Sequence, residues 1–213
     1  MKKYEAEQIR NIGIIGHGSV GKTSLTEAFV FNAKRVTRLG KVDDGTTTTD
    51  FDDDEKKRKI TINTAVAYCE WDKHKINLID TPGFGDFMTD TQICLSVADA
   101  AVVAVCGVAG VEVMTVKTWN FAKQYNIPRF VFLNKMERER ASFDRALESL
   151  RKAFGDGIIP VQLPIGQEAS FKGVIDLITQ KASISKDASG APTVGDVPAD
   201  LKEDADMYRT SLM

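Results

Sequence analysis

Within Gly16-His17-Gly18-Ser19-Val20-Gly21-Lys22-Thr23-Ser24 the first eight residues read G-x-x-x-x-G-K-T, the pattern of a phosphate-binding loop. This stretch constrains the fold because it prescribes its neighbours: a buried strand leading in and a helix leading out. Both are legible. Ile9 to Ile15 is largely apolar and ends at a glycine, as a buried strand does. Leu25, Phe29 and Phe31 open what reads as an amphipathic helix running to about Lys34. Glycines let backbone N–H groups curl around an anion, and the helix N-terminus adds about half a positive charge. Lys22 supplies a point charge for β- and γ-phosphates, and the Thr23 hydroxyl can ligate Mg²⁺. A chance match in a glycine-containing turn is the competing reading, and the flanking elements argue against it.

Two further stretches fall at predicted strand ends. Asp80-Thr81-Pro82-Gly83 follows the apolar run Lys75 to Asp80. Its Asp can hold Mg²⁺ through water, and its Gly offers an N–H to a terminal phosphate. Asn134-Lys135-Met136-Glu137 follows Arg129 to Leu133 and is close to N-K-x-D. In that pattern an Asn amide meets a purine, a Lys stem packs along the base, and a carboxylate accepts two hydrogen bonds from guanine. Buried acceptors left unpaired penalise the wrong base heavily. A fourth element, Arg58-Lys59-Ile60-Thr61-Ile62, ends a polar segment. Thr61 there can place oxygen on Mg²⁺ and a γ-phosphate, ordering a switch until hydrolysis releases it.

Between these landmarks the chain alternates strands and helices. Ile60 to Tyr68 and Lys75 to Asp80 read as an antiparallel pair joined by a turn at Glu70 to His74. Ala100 to Val105 is nearly all apolar, as a central parallel strand is. Helices are predicted from about Asp86, over Glu112 to Tyr125, and over Ser142 to Phe154. The sum is an α/β P-loop NTPase fold: a mostly parallel, doubly wound sheet with helices on both faces and sites at the strands' carboxyl ends. Arg35 to Lys59 breaks the rhythm. Four consecutive threonines and then runs of acid and base leave little to bury, and the segment reads as long and mobile. From Ile158 the pattern shifts to short strands without helices between them. Ser189 to Pro198 reads as a loop. Leu201, Ala205, Tyr208 and Leu212 start a helix with no stop signal, so the chain is expected to end inside a larger protein.

Composition removes several classes of function. Lys and Arg number 28 against 30 Asp and Glu, so no field of one sign points to DNA or a membrane as the main partner. No stretch approaches the ~20 apolar residues of a membrane span, and the polar start is unlike a signal peptide. Cys69, Cys94 and Cys106 lack metal spacing and read as buried thiols of a reducing, cytoplasmic compartment. His17 and His74 do not make a metal site. Trp71, Trp119 and the phenylalanines read as core packing rather than as a platform for stacked bases.

Taken in this order and spacing, the motifs resemble the translational GTPase family, most closely its elongation factor G branch. Residues 8–157 are similar to that family's GTP-binding domain. Residues 158–213, through Leu163-Pro164-Ile165-Gly166 and Phe171-Lys172-Gly173-Val174-Ile175-Asp176-Leu177, are similar to part of the subdomain that elongation factor G inserts there. The resemblance implies that Gly16, His17, Gly18, Ser19, Val20, Gly21, Lys22, Thr23, Ser24, Asp80, Thr81, Pro82, Gly83, Phe84, Asn134, Lys135 and Glu137 bind GTP or GDP. It implies that Lys22, Thr61 and Gly83 serve hydrolysis, and that Thr23, Thr61 and, through water, Asp80 hold Mg²⁺. The ribosome is the implied partner, engaged mostly through domains absent here, and the chain is expected to be a monomer.

Four motifs depart from the family pattern. The loop usually reads A-H-[IV]-D-[AH]-G-K-T, whereas Gly18 and Ser19 stand at its apolar and acidic positions. D-T-P-G-H becomes Asp80 to Phe84, and the family assigns that histidine to positioning the attacking water. N-K-x-D ends in Glu137, and R-G-I-T becomes Arg58-Lys59-Ile60-Thr61. The phosphate cradle and Mg²⁺ groups remain intact, so nucleotide binding is expected with slow intrinsic hydrolysis and with guanine selectivity loosened by Glu137. Two alternatives are a nucleotide-gated ribosome-binding module without hydrolysis and, more remotely, a P-loop kinase or ATPase.

Overall fold

A computed structural model describes residues 3–185 and 192–213. The chain divides into two compact units, residues 1–105 with 112–134 and residues 106–111 with 135–213.

In the first unit the predicted strand forms as β1 (Ile9–Gly16), flanked on one side by β3 (His74–Asp80) and on the other by β4 (Ala100–Cys106). Both pairings are parallel, with Ile14 beside Asp80 and beside Val102. β2 (Ala65–Trp71) pairs antiparallel with β3, and β5 (Arg129–Asn134) completes the order β2-β3-β1-β4-β5. Period-two alternation sends the two faces of β1 to different helices. Ile12 and Ile14 join Val30 and Leu25 of α1 (Lys22–Asn32) in one core with Ala67, Cys69 and Leu78. Gly13 faces the other way, where a Cβ would meet Leu95 of α3 (Met88–Leu95) at 3.2 Å. The sheet is therefore doubly wound, with α4 (Val113–Gln124) also packed on β1. Its helices enter from the strands' carboxyl ends, which fixes where a ligand can sit.

The hairpin between β2 and β3 turns at Asp72 and Lys73, both in left-handed backbone (φ 41° and 64°), as a two-residue turn between twisted strands requires. β2 starts at Ala65, later than the predicted Ile60. The intervening backbone is diverted because the amides of Ile62 and Asn63 both donate to the Glu55 carboxylate.

The polar segment 35–59 does not behave as its composition suggested. Thr47, Thr49, Asp50 and Glu55 are buried, each at most 7% exposed. Asp53–Arg58 forms a short helix, α2. Asp52 caps it by accepting the Asp54 amide at 2.9 Å, acids fill its first turn and bases its last. What is buried here is polar, with Thr49, Asp50 and Glu55 each making side-chain hydrogen bonds, which a search for apolar residues misses. The same holds for α1, whose inward stripe is Thr26, Glu27 and Val30, while Phe29 is exposed. Trp71, Phe51, Phe84 and Phe130 also lie exposed rather than in a core. Of the three free thiols only Cys69 is fully buried.

The second unit contains α5 (Phe143–Phe154), the antiparallel sheet β6 (Gln162–Ile165), β7 (Gly173–Asp176), β8 (Lys181–Ile184), β9 (Thr193–Asp196), and α6 (Lys202–Leu212). Leu163, Ile165, Ile175, Leu177, Ala182 and Ala205 form its core. Phe143 and Tyr208 pack edge-to-face against it, with ring centroids 6.4 Å apart. β9 lies inside the stretch read as a loop. It is a fully exposed edge strand, so no apolar alternation marked it. Residues 189–191 of that stretch lie outside the described residues.

Candidate functional site

The phosphate loop runs from the end of β1 to the start of α1. Gly21 carries the chain into the helix in left-handed backbone (φ 96°), and a Cβ there would stand 2.3 Å from Asn134 Nδ2. Only glycine satisfies both demands. Asn134, at the end of β5, donates from that nitrogen to the Val20 carbonyl at 2.9 Å. The third motif is thus tied to the loop through its first residue. Lys135 (φ 62°), buried Met136 and exposed Glu137 follow in the chain and belong to the second unit.

Lys22 is 6% exposed. Its Nζ donates to the carbonyls of His17 (2.8 Å) and Gly16 (3.4 Å), which hold the side chain back along its own loop. Gly83 approaches the same place. A Cβ on it would lie 2.2 Å from Lys22 Nζ and 2.6 Å from His17 O. Thr81 and Pro82 do supporting work: the Thr81 hydroxyl donates to Ile14 O at 2.7 Å, and Pro82 O accepts from Thr91. His17 turns away from the loop. Its Nδ1 accepts the Met114 amide at 3.4 Å and its Nε2 faces Glu112 at 3.5 Å, anchoring the loop to the start of α4. Ser19 and Ser24 are exposed, with Ser19 in left-handed backbone (φ 59°).

Beside Lys22 lies a dense polar cluster. Thr23 Oγ1 and Thr61 Oγ1 are 2.8 Å apart. Thr61 also donates to Asp50 Oδ1 at 2.9 Å, and Thr49 donates to Asp80 Oδ2 at 2.8 Å. The other oxygens, Asp50 Oδ2 and Asp80 Oδ1, are buried without a hydrogen-bond partner. Burial pushes the Asp80 carboxyl up to about 6, against the Thr49 and Thr23 hydroxyls and the Lys22 charge, which favour its ionised form. Asp50 is raised for the same reason, with the Glu55 charge adding to it and the Thr61 hydroxyl opposing. Burial lowers Lys22 to about 8, and Asp80 and Asp50 oppose that shift.

This donor set fits Mg²⁺. Adjacent corners of a Mg²⁺ octahedron lie about 2.9 Å apart for ligand distances near 2.05 Å, and the two threonine hydroxyls have that spacing. Two orphaned carboxylate oxygens are what metal-bound waters would donate to. Among the described residues no three of His, Cys, Asp and Glu form a cage that could hold a metal. An ion here would complete its shell with water and phosphate oxygens, as Mg²⁺ usually does.

Thr47, Thr49 and Asp50 escaped the sequence motifs, as did Glu27 and Glu55, which hold the segment that carries them. Glu27, on α1, accepts the amides of Gly40 (3.1 Å) and Thr48 (2.8 Å). The available signal was an acid at one helical turn from the loop and another at the third position after a capping Asp, which alone is a common pattern.

Fold and site together define a P-loop nucleotide-binding domain whose cluster of threonines and aspartates fits Mg²⁺. Comparison with known proteins narrows this. The pattern of the "Elongation factor Tu GTP binding domain" family matches residues 7–208. Elongation factor G of Salinibacter ruber is 42% identical over 214 residues, covering all of this chain and 30% of its own. Elongation factor G of Granulibacter bethesdensis is 43% identical over 215 residues, covering all of this chain and 31% of its own. A crystal structure of ttk003000868 from Thermus thermophilus superposes with a TM-score of 0.90 at 35% identity, over 96% of this chain and 30% of that one. The chain belongs to the elongation factor Tu GTP-binding domain family and is elongation factor G-like along its length. It spans about a third of the length of these curated relatives. The family generally hydrolyses GTP and uses GTP or GDP with Mg²⁺. No described helix is long and apolar enough to cross a membrane.

Proposed function

We propose that this chain binds Mg²⁺·GTP and Mg²⁺·GDP and hydrolyses GTP slowly, within a longer cytoplasmic elongation factor G-like protein. There, turnover is coupled to ribosomal translocation or ribosome disassembly. Residues 8–157 serve as the GTP-binding domain and 158–213 as part of the inserted subdomain, in a monomer. The observation that carries this reading is the Thr23–Thr61 hydroxyl pair, set beside two orphaned aspartate oxygens and a buried Lys22.

Each residue has a role. Glycine-loop amides and Lys22 neutralise the phosphate charge. Thr23 and Thr61 would ligate Mg²⁺ directly, while Asp80 and Asp50 would accept from its waters. A bound Mg²⁺ supplies charge neutralisation on the phosphates. Gly83 presents backbone where the terminal phosphate is sensed. The Phe84 side chain has no nitrogen or oxygen to hydrogen-bond a water, so no side chain at that position orients a nucleophile. A positioned group that handles the nucleophile's proton contributes about 10²–10⁴-fold in general. Asn134 and Lys135 address the purine, and Glu137, longer by one methylene than the usual Asp, relaxes discrimination against other bases.

Single-turnover phosphate release from the full-length protein, with and without ribosomes, tests the reading. Slow release that Phe84→His accelerates is expected. A wild-type rate equal to that of a histidine-bearing relative rejects slow hydrolysis. Absence of any Mg²⁺-dependent GTP binding rejects the whole reading. Titration of fluorescent GTP, XTP and ATP against wild type and Glu137→Asp tests the base choice, and strict GTP preference in both removes the looser selectivity.

A further inference from the structure

Two departures from the family pattern, Gly18 and Phe84, meet in space. Gly18 is buried although it has no side chain, because the tip of the Phe84 ring covers it. A Cβ on Gly18 would stand 2.9 Å from Cζ, 3.0 Å from Cε1 and 3.2 Å from Cε2 of that ring. Gly18 is not among the glycines in left-handed backbone, so conformation does not require a glycine there. What requires it is room for the ring. The next residue back, Gly83, is already pressed against Lys22 Nζ and the Gly18 amide. The ring therefore extends a contact between the loop after β3 and the phosphate loop.

The flank of this contact is built as well. His17, beside Gly18, is anchored to Met114 and Glu112 at the start of α4. Met114 also reaches the backbone after the ring, with its Cε 3.8 Å and Sδ 3.9 Å from where a Cβ on Gly85 would be. Phe84 is 38% exposed, so the ring is a cover with one face in solvent, free to lift without unpacking a core.

We propose that Phe84 and Gly18 form a matched closure over the phosphate loop, in which the ring is a positioning residue that slows nucleotide release and Gly18 is its seat. The two sequence departures are one change: an aromatic cover in exchange for the side chain that would otherwise occupy the seat. Closure keeps Gly83 against Lys22 and solvent off Gly18. Release requires the ring to lift. A side chain at 18 displaces the ring before it disturbs the backbone, since the atoms it meets are the free end of Phe84. Gly18→Ala is therefore equivalent to removing the ring.

This inference rests on the nucleotide-binding reading above, and stopped-flow release separates the two. The full-length protein is loaded with fluorescent GDP or a fluorescent non-hydrolysable GTP analogue and chased with unlabelled nucleotide. Gly18→Ala and Phe84→Ala are each expected to speed release by about tenfold, with Mg²⁺ dependence retained. The double variant should release no faster than the faster single variant, because both remove one contact. Multiplying effects in the double variant, or unchanged release from Phe84→Ala, overturns the closure while leaving nucleotide binding in place. Wild-type protein that takes up no guanine nucleotide overturns the underlying reading instead. Matching thermal melts of the four proteins exclude misfolding as the source of faster release, and an unfolded Gly18→Ala contradicts the claim that the ring, not the backbone, gives way.

Discussion

Glu55 and Ile62 meet inside the protein, where Glu55 Oε1 accepts the Ile62 amide at 3.0 Å. The same oxygen takes the Asn63 amide at 3.0 Å, and Oε2 takes that of Asp52 at 3.2 Å. One buried carboxylate thus ties the N-cap of α2 to the backbone that follows Thr61. Glu55→Ala leaves buried N–H groups unpaired and is expected to cost about 2–4 kcal/mol of stability. Glu55→Gln keeps one accepting oxygen and should cost about half of that. Urea titration measures both. The same variants should weaken Mg²⁺-dependent GTP binding more than GDP binding, because Thr61 loses its support; equal weakening would show that Thr61 does not sense the nucleotide state.

Asp80 gives a pH signature. Its folded carboxyl titrates at about 6 against an ordinary 3.8, so the nucleotide-free folded state holds the proton more tightly than the unfolded chain. That stabilisation is full below about 3.8 and is lost as pH rises through about 6. At pH 7 the ionised carboxylate is a burden of about 2–3 kcal/mol that Mg²⁺ would relieve. Asp80→Asn should therefore melt higher than wild type at pH 7 without nucleotide, melt about equally at pH 4, and lose the stabilisation by Mg²⁺·GDP. Nucleotide-free melts in which the variant gains nothing at pH 7 would show that the burial is compensated elsewhere.

Most of the first unit was legible because its landmarks are covalent. A phosphate loop demands a strand before it and a helix after it, and D-T-P-G and Asn134 mark two more strand ends. What sequence did not disclose is how Arg35 to Lys59 packs. Its contacts are side-chain hydrogen bonds: Glu27 and Glu55 accept backbone amides, Asp50 accepts the Thr61 hydroxyl, and Thr49 donates to Asp80. No periodicity encodes such pairs, and their polarity argues for solvent. Gly18 and Phe84 were each visible as departures, but only coordinates show that they touch.

Lys22 supplies the alkaline side of the same site. Burial lowers its ammonium to about 8 in the nucleotide-free protein, with Asp80 and Asp50 opposing. The folded value lies below the ordinary 10.5, so at higher pH the folded state is favoured with Lys22 neutral, and that advantage is lost as pH falls through about 8. Binding of a polyanion needs the charged form. GDP affinity at fixed Mg²⁺ should fall as pH rises above about 8. Lys22→Arg, charged throughout, should lose affinity at pH 7 through its misfit to the His17 and Gly16 carbonyls yet show no alkaline fall. Isothermal titration from pH 7 to 9 decides this, and a flat wild-type profile would place the lysine's titration outside that range.

Gly83 is the most demanding position in the site. A methyl group there would lie 2.2 Å from Lys22 Nζ, 2.6 Å from His17 O and 2.8 Å from the Gly18 amide nitrogen. Two of these neighbours are backbone, which cannot step aside without reshaping the phosphate loop. Gly83→Ala is therefore expected to push the loop after β3 away from the phosphate loop, lifting Phe84 with it. The sheet and its core lie on the other side of Thr81, whose hydroxyl stays bonded to Ile14 O, so global stability should fall by only about 1 kcal/mol. With the terminal-phosphate role proposed for Gly83, GTP affinity should drop by about two orders of magnitude and GDP affinity less. Equilibrium binding of both nucleotides to a variant with near-native melting measures this. Equal losses for GTP and GDP would mean that Gly83 shapes the loop as a whole and reads no terminal group.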